Sequence, residues 1–231
     1  MLPRRKNTDV LMDWVPMAGH TIVDAGCGDG ALARLMARNG ARVVVGLEVS
    51  ERQLARALAH APEPGVVLLK AGAEAMPLAD ESADAVIFFN SLHHVPPPLM
   101  RRALAEAARV ARTGAPVLVS EPIADGPHFE LLRGLDDETT VRAQAHAAAH
   151  DTAAHGLALV REEEYLHTVR HESFEAMRQR IAAANPERDA LIAEDEPALR
   201  EAFERLSAPA PDGGRTFDQP MRATLLRKTA L

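Results

Sequence analysis

Over its first half the chain alternates short apolar runs with polar, helix-forming stretches. Residues 22–25 read as an apolar strand, and 41–48 as a buried parallel strand, because the run Val43-Val44-Val45-Gly46-Leu47 carries no polar alternation. Between them, 31–37 reads as a helix. Ser50-Glu51-Arg52-Gln53 has the spacing of a capping box, which predicts a further helix. Pro96-Pro97-Pro98 opens another, with Leu99, Met100, Ala103, Leu104, Ala107 and Val110 on one face and a stop near Gly114. Strand and helix therefore alternate from 21 to 122, which calls for an α/β fold with a parallel sheet covered on both faces.

After Pro122 the pattern changes. Residues 124–156 are polar, alanine-rich and helical in pattern, inserted before a sixth strand. Tyr165, His167, Val169 and His171 alternate as a strand does, and 217–228 offers a second strand; the two are expected to close the sheet as an antiparallel pair. Helical patterns at 174–184 and 197–206, then the turn-rich Ala208-Pro209-Ala210-Pro211-Asp212-Gly213-Gly214, fill the interval. That interval is about 45 residues, whereas hairpin loops take roughly 2 to 5. Residues 172–215 are accordingly read as a second insertion in one 1–231 domain. With 124–156 it would form a helical cap over the carboxyl edge of the sheet, where ligands bind in open α/β folds; the alternative is that it packs away from the site or makes a dimer contact.

The first strand runs into Asp24-Ala25-Gly26-Cys27-Gly28-Asp29-Gly30. Three closely spaced glycines between a strand and a helix let the backbone approach a ligand with no Cβ in the way. Dinucleotide loops use G-x-G-x-x-G; here the spacing is G-x-G-x-G. Glu48 lies about 20 residues past the glycines, where ribose-reading acids sit in nucleotide folds.

This pattern resembles the first motif of the class I S-adenosylmethionine (SAM)-dependent methyltransferases. The segment from Ala71 to Val86 (AGAEAMPLADESADAV) is similar to the family's G-D-A-E-x-L-P-F-x-D-x-S-F-D-x-V stretch, with Gly72 in place of the Asp that accepts from the adenine amine. Ser91-Leu92-His93-His94-Val95 resembles the L-H-H-V of the ubiquinone/menaquinone-biosynthesis-like branch, and the run from Val110 to Pro122 resembles its L-K-P-G-G-x-L-x-x-x-E-P element. The resemblance covers about residues 20–122. It implies a Rossmann-like, doubly wound seven-stranded sheet, mostly parallel with the last strand antiparallel. It also implies SAM as cofactor: Asp24, Gly26, Cys27, Gly28 and Gly30 around the methionine part, Glu48 and Val49 at the ribose, Gly72, Ala73 and Glu74 beside adenine, and Asn90 and Ser91 against cofactor or acceptor.

Composition agrees with a soluble, single-core enzyme. No run reaches the roughly 18 apolar residues of a membrane span, and residues 1–7 lack the apolar stretch of a signal peptide; the cytoplasm is the expected location. The single cysteine, Cys27, allows no internal disulfide and has no paired base in sequence, so no catalytic thiol is expected. A net charge of −7 weighs against a nucleic-acid substrate. Arg4-Arg5-Lys6 reads as a solvated tail.

The methyl group on a sulfonium is already electrophilic, so the protein's task is to align a nucleophile and exclude water. A hydroxyl, amine or carbon acceptor can require a base, and His93 and His94 are the candidates, with a purely structural role as the alternative. Glu121 is either an acceptor contact or a cap and ion-pair residue. His128, Arg133 and Arg142 are candidates for binding an acidic acceptor. His146 and His150 share a helix face at i, i+4, but no tight carboxylate or cysteine cluster completes a metal site in sequence, and no metal is expected. The expected function is methyl transfer to a small molecule; the alternatives are a silent SAM-binding partner or sensor and a protein or RNA methyltransferase.

Overall fold

In the computed structural model the described residues are 2–184, 187–211 and 213–229, without the side chain of Ala184. The alternating half of the chain folds as α1 (Asn7–Trp14), β1 (Thr21–Ala25), α2 (Ala31–Arg38), β2 (Val43–Glu48), α3 (Glu51–Ala59), β3 (Val66–Lys70) and β4 (Ala85–Phe89). Two 3-10 turns, Leu92–His94 and Pro97–Leu99, lead into α4 (Met100–Val110) and β5 (Pro116–Pro122). There follow α5 (Gly126–Leu132), α6 (Thr139–His150), α7 (Thr152–His155) and the long β6 (Leu157–His171). Helices α8 (Phe174–Ala184), α9 (Glu187–Glu194) and α10 (Glu196–Leu206), then β7 (Ala208–Pro209) and β8 (Arg215–Lys228), complete the chain.

The sheet runs β3-β2-β1-β4-β5-β8-β6. β1 pairs in parallel with β2 on one side (Val23 against Val45) and with β4 on the other (Val23 against Val86); β3 and β5 extend the parallel set, and the last strands are antiparallel. Seven strands form this path as expected. The addition is β7, two residues of the expected turn region that pair antiparallel with β8. Strand order reverses between β1 and β4, so the carboxyl ends of these two strands flank the switch point where open α/β sheets bind ligands.

The chain divides into two compact units. One contains Asn7–Glu121, Val141–Glu163 and Arg222–Leu231; the other contains the residues through Lys6, Pro122–Thr140 and Glu164–Met221. In the first, Val23, Val45, Leu47, Val86, Phe88, Val117 and Val119 of the sheet are buried with Met100, Ala103, Leu104 and Ala107 of α4, the helix face that the periodicity picks out. Each such fully buried large side chain stabilises the fold by about 1.5 to 3 kcal/mol. In the second, Phe174, Met177, Ile181, Ile192, Phe203 and Phe217 form a separate core, with Phe203 and Phe217 rings 5.3 Å apart.

Three local expectations are corrected. The basic segment at 4–6 is not a solvated tail. Leu166 donates its amide to Pro3 O (2.9 Å) and accepts from Arg5 N (3.0 Å), while Arg4 pairs with Asp218, because β6 presents an edge whose amides need partners. The capping box at Ser50 is half formed: Ser50 Oγ accepts from Gln53 N (3.3 Å), but the Ser50 amide goes to Glu48 Oε1 (2.8 Å). Among the described residues the second insertion holds three helices, not two. α9 escapes the pattern because only Ile192 of its eight residues is buried.

Candidate functional site

The glycine loop is built by two constraints. Gly26 N and Cys27 N both donate to Leu47 O (2.8 and 2.9 Å), turning the chain over the end of β2. Gly26 has φ +81° and lies so close to Ser91 that a Cβ would sit 2.6 Å from the serine Cβ; glycine alone meets both demands. Gly28 and Gly30 share the left-handed conformation. Gly28 N donates to Glu48 Oε2 (2.9 Å), so the two oxygens of Glu48 take one amide from the glycine loop and one from Ser50. Each oxygen keeps a further acceptor position.

Asp24 is fully buried at the end of β1, and its Oδ2 has no hydrogen-bond partner among the described residues. Burial, reinforced by the charge of Glu48, pushes its carboxyl up to about 7. Cys27 lies buried over Gly46, where a Cβ would fall 2.8 Å from its sulfur. Burial first, then Asp24 and Glu48, push its thiol well above the usual range, which favours the protonated thiol in its packing against Gly46.

The segment after β3 is held from α4. Glu106 accepts from Met76 N (2.9 Å), and Arg109 donates to Met76 O (2.9 Å), Leu78 O (2.8 Å) and Asp80 (2.7 Å). Sequence reasoning missed this clamp. Its only signal is an i, i+3 charge pair on a helix whose other face is apolar, a pattern normally read as solvated. The clamp follows directly on Gly72, Ala73 and Glu74. The carboxylate of Glu74 occupies the space that a side chain on residue 72 would take. Ala73 is buried beside it, and Val49, after Glu48, is 63% exposed.

At the end of β4, exposed Asn90 adopts φ +54°, a conformation asparagine tolerates better than most residues. Its amide donates to Ser120 O (2.8 Å). Ser91 is buried and donates Oγ to Ala25 O (2.6 Å), tying β4 to the glycine loop. Glu121, from the end of β5, anchors the following turn. Its Oε1 accepts from Ser91 N (3.1 Å) and Leu92 N (2.8 Å), and its Oε2 meets His93 Nδ1. His93 is buried, whereas His94, its ring centroid 4.0 Å away, is exposed.

These residues all belong to one unit, and the structure brings the glycine loop, Glu48, Asn90, Ser91, His93 and Glu121 together through the contacts just given. The remaining acceptor candidates are elsewhere in the chain. His128 and Arg133 belong to the second unit: His128 lies alongside His171 (3.3 Å between Nε2 atoms), and exposed Arg133 pairs with Asp137 (3.2 Å). Arg142 is on α6, in the first unit.

Residues 23–119 match the family described as Methyltransferase domain. The chain is 36% identical over 115 residues to a ubiquinone biosynthesis O-methyltransferase of Hahella chejuensis, covering 48% of this chain and 47% of that protein. It is 38% identical over 112 residues to the 27-O-demethylrifamycin SV methyltransferase of Amycolatopsis mediterranei, covering 46% and 40%. The chain thus spans about half the length of the curated relatives it matches. Among solved structures, the YcgJ protein of Bacillus subtilis shares the fold with a TM-score of 0.65 at 19% identity, over 96% of this chain and 98% of that one.

Proposed function

We propose that this chain, whose residues 23–119 match the family described as Methyltransferase domain, transfers the methyl group of SAM to a hydroxyl oxygen of a small molecule. The observation that carries the proposal is the junction of the glycine loop with Glu48, where Gly28 N meets the acid that ends the neighbouring strand. Two further features fit SAM. Asp24 Oδ2 is an unpartnered acceptor suited to a cationic amino group, and a Cβ on Gly28 would meet nothing within 4 Å, so the loop borders open space there.

When bound, SAM supplies an electrophilic methyl on a sulfonium, so no covalent enzyme residue is required. Asp24 and the loop amides would hold the amino-acid part, Glu48 and Val49 would lie at the ribose, and Ala73 and Glu74 would border adenine. Asn90 would face the acceptor, and Ser91, with its hydroxyl on Ala25 O, would hold the glycine loop against the end of β4. An oxygen acceptor is favoured because one relative is named an O-methyltransferase and the other a methyltransferase of a 27-O-demethyl compound. A hydroxyl is a poor nucleophile until its proton is taken, and exposed His94 is the proposed base. His93, buried on Glu121, is proposed as a positioning residue that sets the turn. Arg142, in the same unit as the glycine loop, is proposed as an acceptor contact if the acceptor is acidic. The net charge of −7 favours a small molecule over a nucleic acid. No helix among the described residues is long and apolar enough to cross a membrane, and the cytoplasm is the compartment proposed.

Calorimetry with SAM, its demethylated product and NAD tests the foundation, followed by methyl transfer from labelled SAM to a panel of hydroxylated metabolites. Binding of SAM and product, with label on oxygen, is expected. Binding of NAD with no binding of SAM or its product would overturn the reading.

A further inference from the structure

We propose that His146, His150 and Glu162 form a binding site for a zinc-class divalent ion, separate from the methyl-transfer chemistry. The two histidines stand one turn apart on α6 with ring centroids 4.5 Å apart, and Glu162 faces them from β6. Its Oε2 lies 2.8 Å from His150 Nε2 and 3.4 Å from His146 Nε2. All three donor atoms fall within 4.8 Å of one another. Ligands held about 2.0 to 2.1 Å from a tetrahedral ion are about 3.3 Å apart. The His146 pair therefore already has the required spacing, and the His150 pair must open by about half an ångström. His150 and Glu162 are exposed enough for a side-chain rotation to supply it.

Two observations separate this cluster from an ordinary surface ion pair. His146 Nε2 is buried and makes no hydrogen bond among the described residues, a costly state that coordination would relieve. Thr224 Oγ1, on β8, donates to the same Glu162 Oε2 (2.7 Å), the kind of contact that orients a ligating carboxylate. Arg222 approaches the other oxygen, Oε1, at 3.9 Å. Its charge works against a dication, but it leaves Oε2 to the histidines and favours monodentate binding. Two imidazoles and one carboxylate suit zinc and its neighbours in the first transition row, and not calcium or magnesium, which prefer oxygen ligands. Three protein ligands leave a fourth position for water. The consequence is mechanical. The buried residues of α6 are Ala145, Ala148 and Ala149 alone, a shallow face that anchors the helix weakly, and a bound ion would pin it to β6.

The test uses the full chain, stripped with chelator and titrated with zinc against a chromophoric chelator, with cobalt absorption reporting the coordination. A single equivalent of zinc and a rise in Tm are expected. His150→Gln and Glu162→Gln, at half-exposed positions that keep the fold, should each lose more than about 100-fold in affinity and abolish the rise, and Thr224→Val should lose about tenfold. His128→Gln should bind as the parent does. Absence of stoichiometric zinc, or equal zinc binding by His150→Gln and Glu162→Gln, would overturn the site.

Discussion

A carboxylate oxygen without a partner in a protein interior costs stability, and such a group marks a candidate ligand contact. Asp24 is in this position, with its carboxyl pushed up to about 7 by burial and by Glu48. Asp24→Asn removes the buried charge at nearly constant shape. At pH 8 the free protein should become more stable by about 1 to 3 kcal/mol in urea unfolding, while SAM affinity falls by about 10 to 100-fold, the loss expected from a charge-assisted hydrogen bond. Unchanged SAM affinity would remove Asp24 from the ligand's surroundings. The same residue shows what sequence can and cannot convey. Asp24 and the glycines were legible because their types and spacing are local. The answer to Gly72 was not, since Glu74 fills that space only through a side-chain conformation that spacing does not specify.

Among the elements, the turn after β4 depends on one side chain from β5. Glu121 accepts two backbone amides and holds His93, so its removal takes the acceptor from the Ser91 and Leu92 amides and the Nδ1 contact from His93 at once. Glu121→Ala should cost about 3 to 5 kcal/mol, as expected for breaking a buried, hydrogen-bonded charge, and should lower turnover by displacing His94. Glu121→Gln keeps an oxygen for the amides but changes the partner of His93 Nδ1. It should retain most of the stability while shifting the pH profile of kcat. Equal profiles for Glu121→Gln and the parent would mean that His93 does not influence the base. The parallel strands were readable because apolar runs bounded by turns are local signals. What the sequence left out comes from elements without an apolar signature: α9 buries one side chain, and the Glu106–Arg109 clamp resembles any solvated pair. The N-terminal pairing with β6 joins residues more than 150 positions apart, beyond any window of local pattern.

At the scale of the molecule, the two compact units carry buried groups whose titrations oppose each other. His171, in the unit with the phenylalanine core, is packed beside Phe217 and Phe203. Burial, with Arg180 adding repulsion, lowers its pKa from 6.5 to about 4. Its imidazole is therefore neutral in the fold while the unfolded chain protonates, so its contribution is intact above pH 6.5 and is lost as pH falls toward 4. Asp24, in the other unit, has a folded pKa of about 7 against 3.8 unfolded; its contribution is intact below 3.8 and is lost as pH rises to about 7. Between about pH 4 and 6.5 each group changes stability by up to about 1.4 kcal/mol per pH unit, with opposite signs. If the units unfold together, the two slopes cancel, and removing either group exposes the other. Over this range His171→Gln should then make the stability slope more negative with rising pH, and Asp24→Asn should make it more positive. If the units unfold separately, calorimetry should resolve two transitions, and acidification should lower the temperature of the His171-containing unit while raising that of the glycine-loop unit. A single transition whose pH slope is unaffected by either substitution would refute both assignments, since neither group would then change protonation on unfolding.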